Sequence, residues 1–255
     1  MIVHVPHAST VIPPDWRHVC LLGDESLERE LLAMTDAYTD DLFSVSGATA
    51  VQFPVSRLVV DPERFIDDTS EPMSARGMGV IYTHTSQRAR LRHEPSTEER
   101  IALLSRFYEP HHAALTTAVE GALAADGSCL VLDAHSFASR ALPYELDQDP
   151  RRPDICLGTD PFHTPPALVV LASNLFKSAG WSVDIDRPFA GALVPLRHYR
   201  TDSRVTALMV EVNRGLYMDE RTGERGANYE SVRATLQRVL QALSEFDCHS
   251  GHSRT

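Results

Sequence analysis

The chain has 255 residues, 43% hydrophobic and 23% charged, an ordinary globular composition. Its 24 basic and 35 acidic side chains leave a net charge of −11. That balance argues against a nucleic-acid-binding surface, which needs a basic patch, but leaves an acidic substrate open because a few arginines in a cleft can hold a carboxylate.

No apolar run reaches the length of a membrane span, and Met1-Ile2-Val3-His4-Val5-Pro6 lacks the features of a signal peptide. The four cysteines, Cys20, Cys129, Cys156 and Cys248, match no zinc or CxxC spacing, and Cys129 and Cys156 lie in apolar runs where reduced core residues are expected. A cytoplasmic protein is the simplest expectation. This length suits one large α/β domain or two small ones, and needs no disulfide or structural metal to hold it together.

Along the chain, Ile2–Val5 reads as a short strand ending at Pro6-His7, followed by a loop with Pro13-Pro14. Leu27, Leu31, Leu32, Thr35, Tyr38 and Leu42 recur at helical spacing and predict one helix over Glu25–Phe43. Thr49–Phe53 and Leu58–Val60 are strand-like. The polar stretch Asp61–Glu94 is too long for a plain connection, and its Gly77-Met78-Gly79 reads as a flexible cleft loop. Arg88–Arg92 reads as a solvated face. A second helix is expected over Ser96–Ala124, then a buried strand at Cys129–Leu132 and another at Asp154–Leu157. Pro166–Ala179 (helix), Ser182–Ile185 and Ala207–Val212 (strands) and Ala227–Phe246 (helix) complete the pattern. Alternation of strands and helices predicts a mostly parallel or mixed central sheet with helices on both faces. The expected domain runs over 1–247, with 248–255 a polar C-terminal tail.

In such sheets the chemistry gathers at the carboxyl ends of strands. Three apolar runs end there in suitable residues: Ile2–Pro6 delivers His7, Leu130–Leu132 delivers Asp133-Ala134-His135-Ser136, and Leu208–Val210 delivers Glu211-Val212-Asn213-Arg214. A fourth segment, Ser56-Arg57-Leu58-Val59-Val60-Asp61-Pro62-Glu63-Arg64, sets charges on both sides of an apolar stretch. Two imidazoles and a carboxylate with one open position are what a catalytic zinc site needs, and a further carboxylate can take a proton from water. His4 and His7 would point to opposite faces of a regular strand, which argues against a shared role. Asp40 lies one helical turn after Asp36 and would share its helix face.

These segments resemble the N-formylglutamate amidohydrolase family. Pro6-His7-Ala8-Ser9 is similar to the family's Pro-His-Ser-Gly opening, Thr35–Phe43 to its early helix motif with two aspartates, and Ser56-Arg57, Asp61 and Arg64 to its Ser-Arg and Asp-Leu-Asn-Arg positions. Pro110-His111-His112 is similar to a Pro-Tyr-His segment, and Asp133–Ser136 and Glu211–Met218 complete the order. The family's fold is similar to that of zinc-dependent exopeptidases and aspartoacylases.

The resemblance implies one divalent metal ion, with zinc as the default, held by His7, Asp36 and His135. Asp36 is preferred over Asp40. It also implies Glu211 as the general base for a metal-activated water. Arg57, Arg64, Asn213 and Arg214 would bind substrate, and Asp61, Asp133 and His112 would support the ligands. Two departures bear on the substrate: Glu63 stands where the family has Asn, setting a negative charge that would repel an acidic substrate, and His111 replaces the tyrosine.

The implied reaction is hydrolysis of a small, acidic N-formyl or N-acyl amino acid. Neither a nucleic acid nor a membrane is an expected partner, and oligomeric state stays open. A related hydrolase of a peptide or cell-wall amide would need a wide, open cleft. A metal-free binding protein would not need His7, His135 and Glu211 together. A serine hydrolase is disfavoured because Ser136 lacks the G-x-S-x-G elbow.

Overall fold

A computed structural model describes residues 1–246. The expected tail 248–255 lies outside the described residues. The chain forms an α/β domain on a six-stranded mixed sheet. Its elements are β1 (Ile2–Val5), α1 (Pro14–Arg17), α2 (Asp24–Met34), α3 (Thr39–Leu42), β2 (Thr49–Gln52), α4 (Thr97–Leu103), α5 (Glu109–Asp126), β3 (Cys129–Phe137), β4 (Ile155–Gly158), α6 (Pro166–Ser178), β5 (Val183–Ile185), β6 (Val205–Asn213) and α7 (Tyr229–Ser244). The strand order is β2-β1-β3-β6-β4-β5. Every neighbouring pair is parallel except β4 and β6, which are antiparallel. Among the described residues no helix is long and apolar enough to cross a membrane.

Alternation along the central strands sends one set of side chains to each side of the sheet. Val3, Val5, Leu132, Ala134, Leu208, Val210 and Val212 pack with Leu42, Phe176, Leu236 and Leu240, so α3, α6 and α7 cover one side. Ile2, Val131, Val205 and Ala207 pack with Leu115 and Val119 of α5 on the other. Farther along this second side the apolar residues give way to His4, Asp133, His135 and Glu211. The register makes His4 the neighbour of Asp133, and His135 the neighbour of Glu211. One side of the sheet is thus core at its amino end and polar at its carboxyl end.

Several expected elements differ. The single helix over Glu25–Phe43 is two, because the backbone is extended at Thr35 (ψ 133°) and left-handed at Tyr38 (φ 67°). That geometry costs a non-glycine residue on the order of 1 kcal/mol. One tertiary and one local bond hold it: Asp36 N–H donates to the His7 carbonyl at 3.0 Å and the Thr39 hydroxyl to the Asp36 carbonyl at 2.8 Å. Asp36 therefore sits in the break, and the shared helix face with Asp40 does not exist.

Leu58–Val60 is not a strand. It is a turn closed by Val59 N–H on Ser56 O, fully buried in a third core beneath the long loop. Gly77-Met78-Gly79 is packed rather than a flexible cleft loop: Met78 is buried, and Gly77 adopts φ +72° where a Cβ would meet His84. The helix expected over Ser96–Ala124 starts at a Ser96–Glu99 capping box but widens to a π turn at Leu104–Tyr108. Pro110, which has no N–H and would crowd the preceding turn, follows that widened stretch. Arg92 is buried rather than part of a solvated face.

Candidate active site

The sheet's polar end, the Asp36 break and the loop 56–64 meet around a cavity of about 330 Å³. Its wall includes His7, Asp36, Glu63, Asp133, His135 and Glu211. His7 and His135 lie with ring centroids 5.1 Å apart. His7 Nε2 is 2.9 Å from Asp61 Oδ1. His135 Nε2 faces Glu63 Oε1 at 3.1 Å and Asp133 Oδ1 at 3.2 Å. The Nε2 edges of both rings are therefore placed to donate to carboxylates.

Their Nδ1 edges turn the other way, towards one atom. Asp36 Oδ2 is 3.0 Å from His135 Nδ1 and 3.6 Å from His7 Nδ1. His7 Nδ1 is buried without a hydrogen-bond partner. An imidazole that donates from Nε2 presents a lone pair at Nδ1, and a lone pair facing a carboxylate oxygen needs a proton or a cation between them. Without a cation, protons fill that need. Burial opposes charging both rings, but for His135 the charges of Glu63 and Asp133 and bonds to Asp133 and Asp36 outweigh it, holding its pKa well above the ordinary value. For His7 burial and Arg57 oppose, yet Asp61 and Asp36 still raise it.

Asp36 is itself held by Arg214, whose Nη2 donates to Oδ1 at 2.7 Å. The same guanidinium donates to the Ser136 hydroxyl and carbonyl and to the Ala33 carbonyl. Ser136 is thus a support for Arg214. Asp61 is fully buried and accepts from His7, the Glu63 N–H, Arg57 (2.8 Å) and Tyr82 (2.5 Å). Burial disfavours its charge, but Arg57 and His7 hold its pKa well below the usual range.

Glu211 differs from these: its Oε2 is buried with no partner. Burial, with Asp36 and Glu63 adding to it and His135 and Arg214 opposing, pushes its pKa up to about 8.

The structure brings together the three expected metal ligands and Glu211. It places Arg57, Arg64 and Arg214 in the cavity wall but not Asn213, whose amide donates to Pro153 O and whose oxygen accepts from Gly215 N–H. Arg57 is committed to Asp61 and Tyr82. Arg64 is the looser arginine: its Nε has no hydrogen-bond partner, and Asp61 and Glu71 stand 3.6 and 3.9 Å away.

Asp133 supports two imidazoles, His135 and His4. His112 bonds the Pro62 carbonyl and stacks on Tyr108 with ring centroids 4.1 Å apart, bracing the loop that carries Glu63.

Two residues stand closer to the centre than expected. His7 lies beyond the end of β1, so strand alternation does not separate it from His4, and His4 Nδ1 is 3.7 Å from Glu63 Oε1. Glu63 is within reach of His4, His7 and His135. Among the described residues it belongs to both groups whose ligand atoms lie close enough to share an ion, His7–Glu63–His135 and His4–Glu63–Asp133. The expectation had treated it only as a charge against the substrate. Its position beside Asp61, whose carboxylate takes the Glu63 N–H, was the signal available in the sequence.

Imidazoles and carboxylates gathered at strand ends, beside a buried glutamic acid with a free oxygen, are the groups a hydrolase site uses. The family model of N-formylglutamate amidohydrolase matches residues 1–218, and the chain belongs to that family. It is an amidohydrolase. A crystal structure of N-formylglutamate amidohydrolase from Ralstonia eutropha JMP134 shares 26% identity, with a TM-score of 0.84 over 96% of this chain and 92% of that one. The gene product Atu2144 from Agrobacterium tumefaciens shares the fold at 20% identity and a TM-score of 0.67, over 96% and 91% of the two chains. No protein of curated function matches.

Proposed function

We propose that this amidohydrolase cleaves the amide bond of a small N-formyl or N-acyl amino acid and that it does so with one divalent cation, zinc by default. The observation that carries the metal is that Asp36 Oδ2 lies 3.0 Å from His135 Nδ1 and 3.6 Å from His7 Nδ1, with His7 Nδ1 buried and unpartnered. A borderline cation suits that donor set. His7, Glu63 and His135 form a competing set with ligand atoms within 4.8 Å of one another, and both rings face Glu63 through Nε2, but on His7 that edge already donates to Asp61. His7, His135 and Asp36 would hold the cation, which would supply Lewis-acid chemistry at the amide carbonyl and an acidified water, and its charge would favour ionised Glu211.

The chain's own residues do the rest. Arg64, with its free Nε, binds the amino acid's carboxylate and sets the amide against the cluster. Glu211 Oε2 takes the proton of the attacking water and returns it to the amide nitrogen as the carbon–nitrogen bond breaks, giving a free amine and a carboxylic acid. Asp61, Glu63 and Asp133 keep the imidazole rings in place. A cavity of about 330 Å³ sits at the small end of ligand sites and favours this reading over a peptide or cell-wall polymer. A cytoplasmic location belongs to the same reading.

Metal analysis coupled to a panel of N-formyl and N-acetyl amino acids tests it. Close to one ion per chain and turnover of at least one N-acyl amino acid are expected. Full activity after exhaustive chelation would remove the metal from the proposal, and inactivity of the loaded protein on the whole panel would remove the substrate class.

A further inference from the structure

A second cavity, of about 280 Å³, lies between α1, the start of α4 and the π turn, and it shares no wall residue with the active cavity. Arg92 lines it. That side chain is 2% exposed, yet its Nε and Nη1 have no hydrogen-bond partner. The indole of Trp16, 3% exposed and in the same wall, also has an unpartnered N–H. Arg92 makes no ion pair among the described residues. Burial pushes its guanidinium below the ordinary value, with Glu99 acting the other way. A buried guanidinium without an acceptor is costly, because its lost hydration is not replaced. Native proteins tolerate few such groups, and each one calls for an acceptor.

The rest of the wall defines that acceptor. Arg106 is already paired with Asp15 at 2.5 Å and stacks on Phe107. Glu99 belongs to the capping box, where its carboxylate accepts from Ser96 N–H. Among the described residues Arg92 is therefore the one unpaired arginine of this wall, which also holds two acidic residues, so a monoanion fits and a dianion does not. Apart from the His18 imidazole, the remaining surface is apolar, made by Pro13, Trp16, Val19, Ala102, Leu103 and Phe107.

We propose that this cavity is a second ligand site, which binds a small monocarboxylate with an aromatic or aliphatic body, its carboxylate on Arg92 and the Trp16 N–H. A planar guanidinium offers two parallel donors to a carboxylate, and the indole adds a third.

The protein has two tryptophans, so Trp181→Phe leaves Trp16 as a local fluorescent reporter. Phenylacetate is titrated into that protein, with inorganic phosphate and 2-phenylethanol as comparison ligands. Phenylacetate should give a saturable change in Trp16 emission, and the two comparison ligands should bind at least about 10-fold more weakly, since each lacks one half of the match. Adding Arg92→Gln should weaken phenylacetate binding at least about 30-fold, the usual scale for removing one side of a buried charge pair. It should leave kcat/KM for N-acyl amino acids unchanged. Arg92→Lys, which keeps the charge but loses the fork, should weaken binding by a smaller factor and covers the case in which the glutamine variant does not fold. Arg64→Ala should not alter the titration, which separates this site from the active cavity.

No saturation up to about 10 mM phenylacetate would overturn the proposal. So would equal binding of 2-phenylethanol or phosphate, or wild-type affinity in the Arg92 variants.

Discussion

Replacing Glu211 with Gln separates two consequences of one buried carboxyl. Glu211 Oε2 has no hydrogen-bond partner, so the isosteric change breaks no bond at that atom. Folding and metal content should survive. Activity should fall by at least ~100-fold, because the group that moves the proton is gone. That loss corresponds to about 2.7 kcal/mol in the transition state.

Stability should move the other way in chelated protein. The native pKa is raised to about 8 from 4.5, mainly by burial. Between those values the native state keeps a proton that the unfolded chain gives up, so the group's contribution is fully present below pH 4.5 and is lost as pH rises towards 8. Gln carries no such proton. The stability of Glu211→Gln minus that of wild type should therefore grow from pH 5 to pH 8, by at most about 1.4 kcal/mol per pH unit. Urea unfolding at several pH values reads this, beside kcat/KM and metal content at one pH. Loss of metal with the activity would make Glu211 a ligand. Normal activity would remove it from the mechanism, and a flat stability difference would refute its buried, proton-holding state.

Asp36→Asn should weaken metal binding at least ~100-fold, whereas Glu63→Asn, which restores the family residue, should cost no more than about 10-fold; the reverse order in a competition with a chromogenic chelator would make Glu63 the ligand. Arg64→Ala should lower kcat/KM about 30-fold for N-acyl amino acids but not for their carboxyl amides, and an equal loss on both would mark Arg64 as structural. Arg57→Ala leaves the fully buried Asp61 without its shortest cationic partner and should destabilise the fold by about 3–5 kcal/mol in urea. A selective loss of substrate affinity at unchanged stability would contradict that assignment.

The strands were legible because burial on both sides writes continuous apolar runs, and the sheet topology then fixes which side chains are neighbours. Once Leu130–Leu132 and Leu208–Val210 are parallel partners, His135 and Glu211 must lie side by side. The helix from Glu25 to Phe43 misled for the converse reason. Its apolar spacing persists through a break that local propensity does not encode. A hydrogen bond from Asp36 N–H to the carbonyl of His7, 29 positions earlier in the chain, holds the segment between the extended Thr35 and the left-handed Tyr38. A 3.6-residue period carries no information about such partners.

The contacts of Glu63 are not legible in the sequence because its surroundings come from a loop without a repeating pattern. One local and two distant contacts fix its place: Asp61 takes its N–H, His112 bonds the carbonyl just before it, and Tyr108 bonds the carbonyl just after it. The last two come from the π turn and the first turn of α5. Widening that helix therefore helps decide where Glu63 stands. Its carboxylate, taken from the motif alone, is an obstacle to an acidic substrate. In place, 3.1 Å from His135 Nε2, it is an acceptor that leaves His135 Nδ1 free to face Asp36. A neutral Asn at this position can accept the same N–H through its amide oxygen, but it adds no charge to the imidazole. The change from Asn to Glu should thus act first on the basicity of His135, through contact, and only second on the substrate, through repulsion across the cavity.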